Sequence, residues 1–279
     1  MGDKFKNKVV LITGSSAGLG KVTALEFCAK GAKVILNGRN ENKLKKAQND
    51  FKMLGFEANY FVANCSIYED CCKLTNFVLD TFGKIDIVIA NASYSMNAGF
   101  EDSSPHVFKE TIDSNIYSVI MPLFTFLPHL KKTSGSFIII SSVAALHGLP
   151  TASAYCVGKM ALTSLYQSIS AELSMYDLHL GIIYLGFIEN DKNKTTFNGT
   201  GMQVAVPNRN KFLQQPQKKV AGSIIKMVQF RRSKMILGIT GKFMFFLTHY
   251  FPGLVLWIAK KNQQKIGIKK QNEVVLRNQ

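Results

Sequence analysis

Three polar residues in this chain have types and spacing that suit proton transfer. Tyr155 and Lys159 are four residues apart in a helical pattern, so both side chains can lie on one helix face. A tyrosine normally has a pKa of about 10, and a neighbouring ammonium lowers it, which makes the phenol a usable general acid or base. Ser142, thirteen residues before Tyr155, can hydrogen-bond the substrate oxygen that gains or loses the proton. Without a cofactor site nearby, the Tyr and Lys pair would be read as ordinary helix surface.

A glycine-rich turn near the start of the chain supplies a candidate cofactor site. The apolar run 9–12 predicts a buried strand, and a helical pattern follows the turn as far as about Lys30. A strand, a glycine-rich turn and a helix in this order present backbone N–H groups and a helix N-terminus to a phosphate. The residues that we expect to hold the cofactor here are Thr13, Gly14, Ser15, Ser16, Gly18, Leu19 and Gly20.

The end of the next predicted strand, residues 33–37, bears on the choice of cofactor. An acidic residue at this position would bind the adenosine ribose hydroxyls of NAD, but the chain continues with Gly38 and Arg39. Arg39 can pair with a 2′-phosphate, which favours NADP (NADPH). The alternative is a solvated arginine that opens the following helix.

Strand and helix patterns alternate along most of the chain, which indicates an α/β fold with a doubly wound parallel sheet, a Rossmann fold. Helices are predicted at about 41–54, 67–82 and 155–175, and a long helix begins near Pro105 and carries Asn115 in its middle. Strands are predicted at about 59–63, 85–90, 137–140 and 180–184. At 279 residues the chain is long enough for one large domain or two small ones.

Over about residues 5–240 the sequence resembles the short-chain dehydrogenase/reductase family. The family's T-G-x-x-x-G-x-G motif is met by Thr13, Gly14, Gly18 and Gly20, and its catalytic tetrad by Asn115, Ser142, Tyr155 and Lys159. The resemblance implies that Tyr155 exchanges a proton with the substrate oxygen while hydride passes between substrate and cofactor. Lys159 would hold the nicotinamide ribose and lower the Tyr155 pKa, Ser142 would orient the carbonyl, and Asn115 would position a water. Further cofactor contacts are expected at Asn64, Cys65, Asn91, Gly186 and Ile188, besides Tyr155 and Lys159.

The sequence departs from the family pattern at several cofactor positions. Asn64 stands where the family has an Asp, and Asn190 where a Thr often holds the carboxamide. Residues 191–216 follow as a polar segment that reads as poor in strands, and in the family this insertion forms a mobile lid over the substrate.

The cysteines and the distribution of charge bear on which binding partners and compartments the chain can have. The five cysteines show no C-x-x-C spacing, so no metal site is expected, and without a secretory signal they read as the reduced thiols of a cytoplasmic protein. Residues 1–191 contain 17 basic and 17 acidic residues, whereas residues 192–279 contain 17 basic residues and one acid, Glu273. This asymmetry predicts an anionic partner for the last third.

The residues from 241 to 279 form an apolar and basic extension to the predicted domain 1–240. Phe243 to Ala259 is rich in aromatic and aliphatic residues with a Pro252-Gly253 break, and it is too short and interrupted for a convincing transmembrane helix. Its basic flanks suit a helix that lies in a membrane interface, which predicts peripheral membrane contact through residues 241–270. Two alternatives stay open: the segment caps the substrate pocket, or it is buried in an oligomer contact.

These observations predict an NADP-dependent enzyme that interconverts a carbonyl and an alcohol on a small lipophilic substrate, either steroid-like or keto-lipid-like. The resemblance implies a homodimer or homotetramer. The alternative is a catalytically inactive nucleotide-binding regulatory or scaffold protein of the same fold, which the intact tetrad disfavours. Nucleic acid is not an expected partner, because the basic residues flank an apolar segment rather than a recognition module.

Overall fold

The structure of the chain is a computed structural model that describes residues 4–191, 194–206 and 214–262. The strands are β1 Val9–Ile12, β2 Lys33–Gly38, β3 Ala58–Val62, β4 Ile87–Ala90, β5 Ser136–Ser142, β6 His179–Leu185, β7 Thr195–Phe197, β8 Gln203–Ala205 and β9 Lys234–Ile236. The helices are α1 Gly18–Cys28, α2 Glu41–Met53, α3 Tyr68–Phe82, α4 Pro105–Lys132, α5 Ser153–Glu172, α6 Gln217–Gln229, α7 Ile239–Tyr250 and α8 Pro252–Asn262.

Seven strands form one parallel sheet in the order β3-β2-β1-β4-β5-β6-β9. The chain winds outward from β1 to β3 and then crosses back to β4, so the direction of winding reverses between β1 and β4. In open α/β sheets a ligand binds at this switch point, beyond the carboxyl ends of the strands. The topology therefore places a crevice directly after β1 and β4.

Helices cover both faces of the sheet, which confirms the predicted doubly wound architecture. In β1, Val10 and Ile12 join the core beneath α1, α2 and α6, whereas Val9 and Leu11 join the core beneath α3, α4 and α5. Alternate residues of a strand point to opposite faces, so a strand that is apolar throughout can be buried on both sides.

The second helix shows how local sequence sets the element boundaries. Asn40 lies just before α2 and accepts a hydrogen bond from the Lys43 backbone N–H at 2.9 Å, which caps the first turn. Leu44, Ala47 and Phe51 are its buried residues, and their spacing is that of one helix face. The predicted helix 41–54 is thus confirmed to within one residue.

The prediction that the lid segment is poor in strands is wrong for the part that the structure describes. Strands β7 and β8 pair as an antiparallel hairpin. Phe197 in β7 bonds through its backbone to Ser95 and Asn97, and the buried Thr196 hydroxyl donates to the Ser95 carbonyl at 2.7 Å. The hairpin therefore gains its backbone partners from the loop after β4, a long-range pairing that local composition does not encode. Residues 192–193 and 207–213 of the predicted lid lie outside the described residues.

The C-terminal extension forms two helices, α7 and α8, whose axes differ by 113° across the break that Pro252 and Gly253 predicted. Helix α7 begins at Ile239, so the predicted boundary at residue 241 falls inside it. Within the described ranges no single helix is long and apolar enough to span a bilayer, and only the bent pair α7–α8 meets that length and composition together. The basic residues from 263 onward lie outside the described residues.

Candidate active site

A cavity of about 870 Å³ opens at the carboxyl ends of the central strands. It joins the glycine turn after β1 to the start of α5 and to the loop after β6. The predicted site residues that line it are Ser16, Gly18, Leu19, Gly20, Asn91, Ser142, Tyr155, Lys159, Gly186 and Ile188. The structure therefore brings the candidate catalytic residues and the glycine turn to one cavity.

The glycine turn has the geometry of a phosphate cradle. Gly14 has a φ of +63°, and a Cβ there would lie 2.8 Å from the Cα of Ala92. A Cβ on Gly20 would lie 2.4 Å from the Gly14 carbonyl oxygen, so α1 can start this close to the strand only without a side chain. The N-cap residue of α1 is Ala17, which has no side chain to cap the helix. A helix N-terminus without a cap from its own N-cap residue and the close backbone approach fit a dinucleotide diphosphate.

Polar side chains around the turn bond to protein atoms and fix its shape. Thr13 is buried, and its hydroxyl accepts hydrogen bonds from the backbone N–H groups of Asn91 and Ala92, at 3.0 and 2.9 Å. The buried Ser15 hydroxyl donates to the Ile12 carbonyl and accepts from the Asn37 N–H. These bonds tie the ends of β1, β2 and β4 together at the crevice.

Tyr155, Lys159 and Ser142 meet at the far wall of the same cavity. Tyr155 and Lys159 lie one turn apart near the start of α5, and the Lys159 Nζ is 5.8 Å from the centre of the Tyr155 ring. Ser142 ends β5, and its hydroxyl accepts from the Ala144 N–H at 3.2 Å. A hydroxyl, a phenol and an ammonium thus line the same cavity.

Lys159 is almost fully buried, with 2% of its surface exposed, and its Nζ donates to the Ile140 carbonyl at 3.2 Å. Because burial penalises the charged form, the pKa of Lys159 falls from 10.5 to about 8. The ammonium therefore predominates at neutral pH and can act on Tyr155 there.

This pKa predicts a pH-dependent contribution to stability. A lysine with a depressed pKa binds fewer protons when folded, so between pH 8 and 10.5 its contribution to stability rises with pH. We expect the free energy of unfolding of the wild type, relative to Lys159→Met, to be level below pH 8 and to rise by up to about 1.4 kcal/mol per pH unit above it. Denaturant unfolding of both proteins from pH 7 to 10 measures this difference. A constant difference across that range would show that Lys159 does not titrate as described.

Asn115 lies behind Tyr155 and Lys159 rather than in the cavity wall. Its amide nitrogen donates to the carbonyls of Thr111 and Tyr94, both at 2.8 Å, while its buried oxygen has no hydrogen-bond partner. Gly158, between Tyr155 and Lys159, brings α5 against α4: a Cβ there would lie 2.6 Å from the Cβ of Asn115. A single glycine therefore sets the distance from Asn115 to Tyr155 and Lys159.

The cavity has a basic rim where it meets α2. Arg39 is exposed just after β2, with its guanidinium 5.7 Å from the centre of the Tyr94 ring. It does not line the cavity, whereas Lys43 and Lys46 of α2 do. Sequence reasoning missed both lysines. The sequence feature that could have revealed them is a pair of cations three residues apart, shortly after Arg39.

Two further predicted cofactor residues lie off the cavity. The side chain of Asn64 accepts from the Ser66 N–H, and the buried Cys65 thiol donates to the Asn37 side-chain oxygen at 3.0 Å. Hydrogen bonding to Cys71 and burial raise the pKa of the Cys65 thiol. Both side chains thus hold the end of β3 in place.

Asp191 is the other residue that sequence reasoning missed. In the sequence it is only the first residue of the predicted lid, yet in the structure its carboxylate lines the cavity and reaches the start of α1. Nothing local in the sequence signals this, because the contact joins residues far apart in the chain.

Comparisons with known proteins show the family to which the chain belongs. Residues 8–200 match the family described as short chain dehydrogenase. The chain is 33% identical over 192 residues to 11-beta-hydroxysteroid dehydrogenase-like 2 of Arabidopsis thaliana, a match that covers 68% of this chain and 62% of that protein. It is 26% identical over 268 residues to dehydrogenase/reductase SDR family member 7B of Danio rerio, covering 93% and 87% of the two chains. The chain belongs to the short-chain dehydrogenase/reductase family of oxidoreductases.

Solved structures share the fold. An alcohol dehydrogenase from the archaeon Thermococcus sibiricus, complexed with 5-hydroxy-NADP, superposes with a TM-score of 0.72 at 24% identity, covering 84% of this chain and 97% of the other. A short chain dehydrogenase/reductase from Burkholderia phymatum, in complex with NAD, gives 0.78 at 19% identity, covering 91% and 96%. These two neighbours thus bind an NADP-type cofactor and NAD respectively. The chain spans 62% of the length of the Arabidopsis relative.

Proposed function

We propose that this chain is an NADP(H)-dependent oxidoreductase that interconverts a carbonyl and an alcohol on a lipophilic substrate. The observation that carries the proposal is the single cavity shared by the glycine turn and by Ser142, Tyr155 and Lys159. The proton donor and the bound cofactor must lie within a few ångströms of each other, and a shared cavity makes that possible.

The side chains divide the proton chemistry among them. In the direction of reduction, Tyr155 donates its proton to the carbonyl oxygen, which Ser142 holds by a hydrogen bond. The Lys159 ammonium stabilises the phenolate that Tyr155 becomes, and Asn115 positions a water that returns a proton to this pair. The nicotinamide, when bound, supplies or accepts the hydride.

The basic rim supports NADP as the cofactor. Arg39, Lys43 and Lys46 lie at or near the adenosine end of the cavity, and no carboxylate occupies the end of β2. Arg39 would pair with the 2′-phosphate, and the two lysines would add to the positive potential around it.

A lipophilic substrate is supported by the wall of the cavity near Tyr155. Apolar side chains from four different segments line it: Met96, Val143, Leu149, Phe187 and Val206. The naming of several relatives as 11-beta-hydroxysteroid dehydrogenase-like agrees with a substrate of this class. The test is a panel of small ketones, steroid ketones and long-chain 3-keto lipids, with NADPH consumption followed by absorbance. Turnover of lipophilic ketones in preference to small ones is expected, whereas a preference for charged or sugar-like carbonyls would overturn the substrate class.

A homodimer or homotetramer is proposed as the working form. Helices α4 and α5 expose apolar side chains that another copy could cover, namely Tyr117, Phe124, Val157 and Met160. Light scattering of the purified chain measures this, and a monomer at micromolar concentration would contradict it.

The bent helix pair α7–α8 is proposed to contact an anionic membrane surface peripherally. It exposes Phe243, Phe246, Tyr250, Phe251, Leu254, Leu256, Trp257 and Ile258. Lys242, Lys260 and Lys261 are exposed on the same two helices, and the Lys261 Nζ lies 4.3 Å from the centre of the Trp257 ring. Apolar aromatic residues with flanking lysines suit an interface of anionic lipid, where each lysine contributes about 1 kcal/mol of attraction.

Co-sedimentation with vesicles tests this contact. We expect the chain to bind vesicles containing phosphatidylserine at low salt, and to bind neutral phosphatidylcholine vesicles more weakly. The triple variant Phe243→Ser, Phe246→Ser, Trp257→Ser should lose binding, while Met175→Ser, which changes an even more exposed apolar residue after α5, should retain it. If the intact chain ignores anionic vesicles, or if the triple variant changes the oligomeric state instead, the helix pair belongs to a protein contact.

A further inference from the structure

The N-terminus of α1 already holds an anion from this chain. The Gly18 N–H, the first of the helix, donates to the Asp191 Oδ2 at 2.8 Å. The other carboxylate oxygen accepts from the Gln217 side chain, also at 2.8 Å. Asp191 comes six residues after the end of β6, so this contact joins the loop after β6 to the glycine turn.

A carboxylate at this position has the same physical attraction as a phosphate. The N-terminus of a helix carries a partial positive charge and unpaired N–H groups, and both favour an anion. Ala17 cannot satisfy these groups, so Asp191 does so in its place. A diphosphate bound at the start of α1 would meet the Asp191 carboxylate, and two anions at one helix terminus repel each other.

We propose that Asp191 is an internal competitor of the cofactor diphosphate, occupying the N-terminus of α1 until the diphosphate displaces it. This inference rests on the proposed cofactor site and goes beyond it by assigning a residue that opposes binding. Asp191 thereby keeps the N-terminus satisfied in the free protein and weakens the affinity for the cofactor.

Displacement of the Asp191 carboxylate would also affect its contact with α6. The Asp191 carbonyl accepts from the Lys194 N–H at 3.0 Å, directly before β7. Gln217, the first residue of α6, donates to the Glu189 carbonyl as well as to Asp191. Movement of the carboxylate away from Gly18 therefore also disturbs its bond to Gln217 at the start of α6.

Isothermal titration of the full chain with NADPH and, separately, with NADH tests the proposal. Because both cofactors carry the diphosphate, Asp191→Ala should lower both dissociation constants by the same factor, about three- to tenfold. Asp191→Asn, which keeps an oxygen acceptor without the charge, should give part of that gain. Glu26→Ala removes an acid from α1 outside the cavity, and its dissociation constants should equal those of the wild type.

A second readout separates competition from a simple loss of structure. Without cofactor, Asp191→Ala should melt at a lower temperature than the wild type, because the helix terminus loses its acceptor. With saturating NADPH the difference should close or reverse. Weaker or unchanged binding of both cofactors by Asp191→Ala, while the wild type binds them, would overturn the inference and leave the proposed function standing. Failure of the wild type and of Asp191→Ala to bind either cofactor would overturn both.

Discussion

Replacing Tyr155 by Phe is expected to lower turnover about a hundredfold or more while leaving the affinity for NADPH nearly unchanged. The substitution removes the phenolic hydroxyl of a residue that lines the cavity and keeps the aromatic ring near Lys159. General acid catalysis by a positioned side chain typically contributes a factor of this size, so its loss should appear in kcat rather than in cofactor binding. Steady-state kinetics with the best ketone of the panel, combined with NADPH titration, measures both quantities.

The matched control is Tyr184→Phe. Tyr184 is a buried tyrosine in β6 whose hydroxyl donates to the Thr163 hydroxyl at 3.1 Å, and it does not line the cavity. This variant should lose a little stability and keep its turnover. Equal turnover in Tyr155→Phe and in the wild type would remove Tyr155 from the mechanism.

Arg39→Ala is expected to weaken NADPH binding by about ten- to a hundredfold, because a hydrogen bond to a charged group contributes roughly 1.5–3 kcal/mol. NADH, which lacks the 2′-phosphate, should bind the variant and the wild type alike. The change is thus one of selectivity, unlike the equal effect on both cofactors that is expected at Asp191. Titration of both proteins with both cofactors gives the four dissociation constants that are needed.

Lys45→Ala provides the control for general electrostatics. Lys45 is an exposed cation on α2, 3.0 Å from Glu41, and it does not line the cavity. Its removal changes the net charge as Arg39→Ala does, so NADPH affinity should fall only slightly. If the wild type binds NADH as tightly as NADPH, the assignment of NADP is wrong.

The sequence predicted the central sheet and located both parts of the candidate site because each depends on local patterns. Apolar runs such as Val9–Ile12 are buried on both faces of a parallel sheet and are recognisable by themselves. The glycine turn and the Tyr155–Lys159 pair are also local, since their geometry follows from a turn and from one helical repeat. The glycine turn and the Tyr155–Lys159 pair lie at one cavity because of the order of the strands in the sheet.

The features that the sequence did not reveal depend on contacts between distant segments. The β7–β8 hairpin forms against Ser95 and Asn97, about a hundred residues earlier, and its polar residues read locally as a loop. Asp191 reaches Gly18 across 173 residues. Lys43 and Lys46 have the spacing of an ordinary solvated helix face until the cavity beside them is known.

The most direct test of the central claim follows the hydrogen itself. The protein is incubated with the preferred ketone and NADPH that carries deuterium at the transferable position of the nicotinamide, and the alcohol formed is examined by mass spectrometry and NMR. A single deuterium on the carbinol carbon, formed by the wild type and lost together with turnover in Tyr155→Phe, is the result that the proposed function predicts. Tight binding of NADPH without reduction of any carbonyl across the panel would contradict it and would identify the chain as a nucleotide-binding protein without this activity.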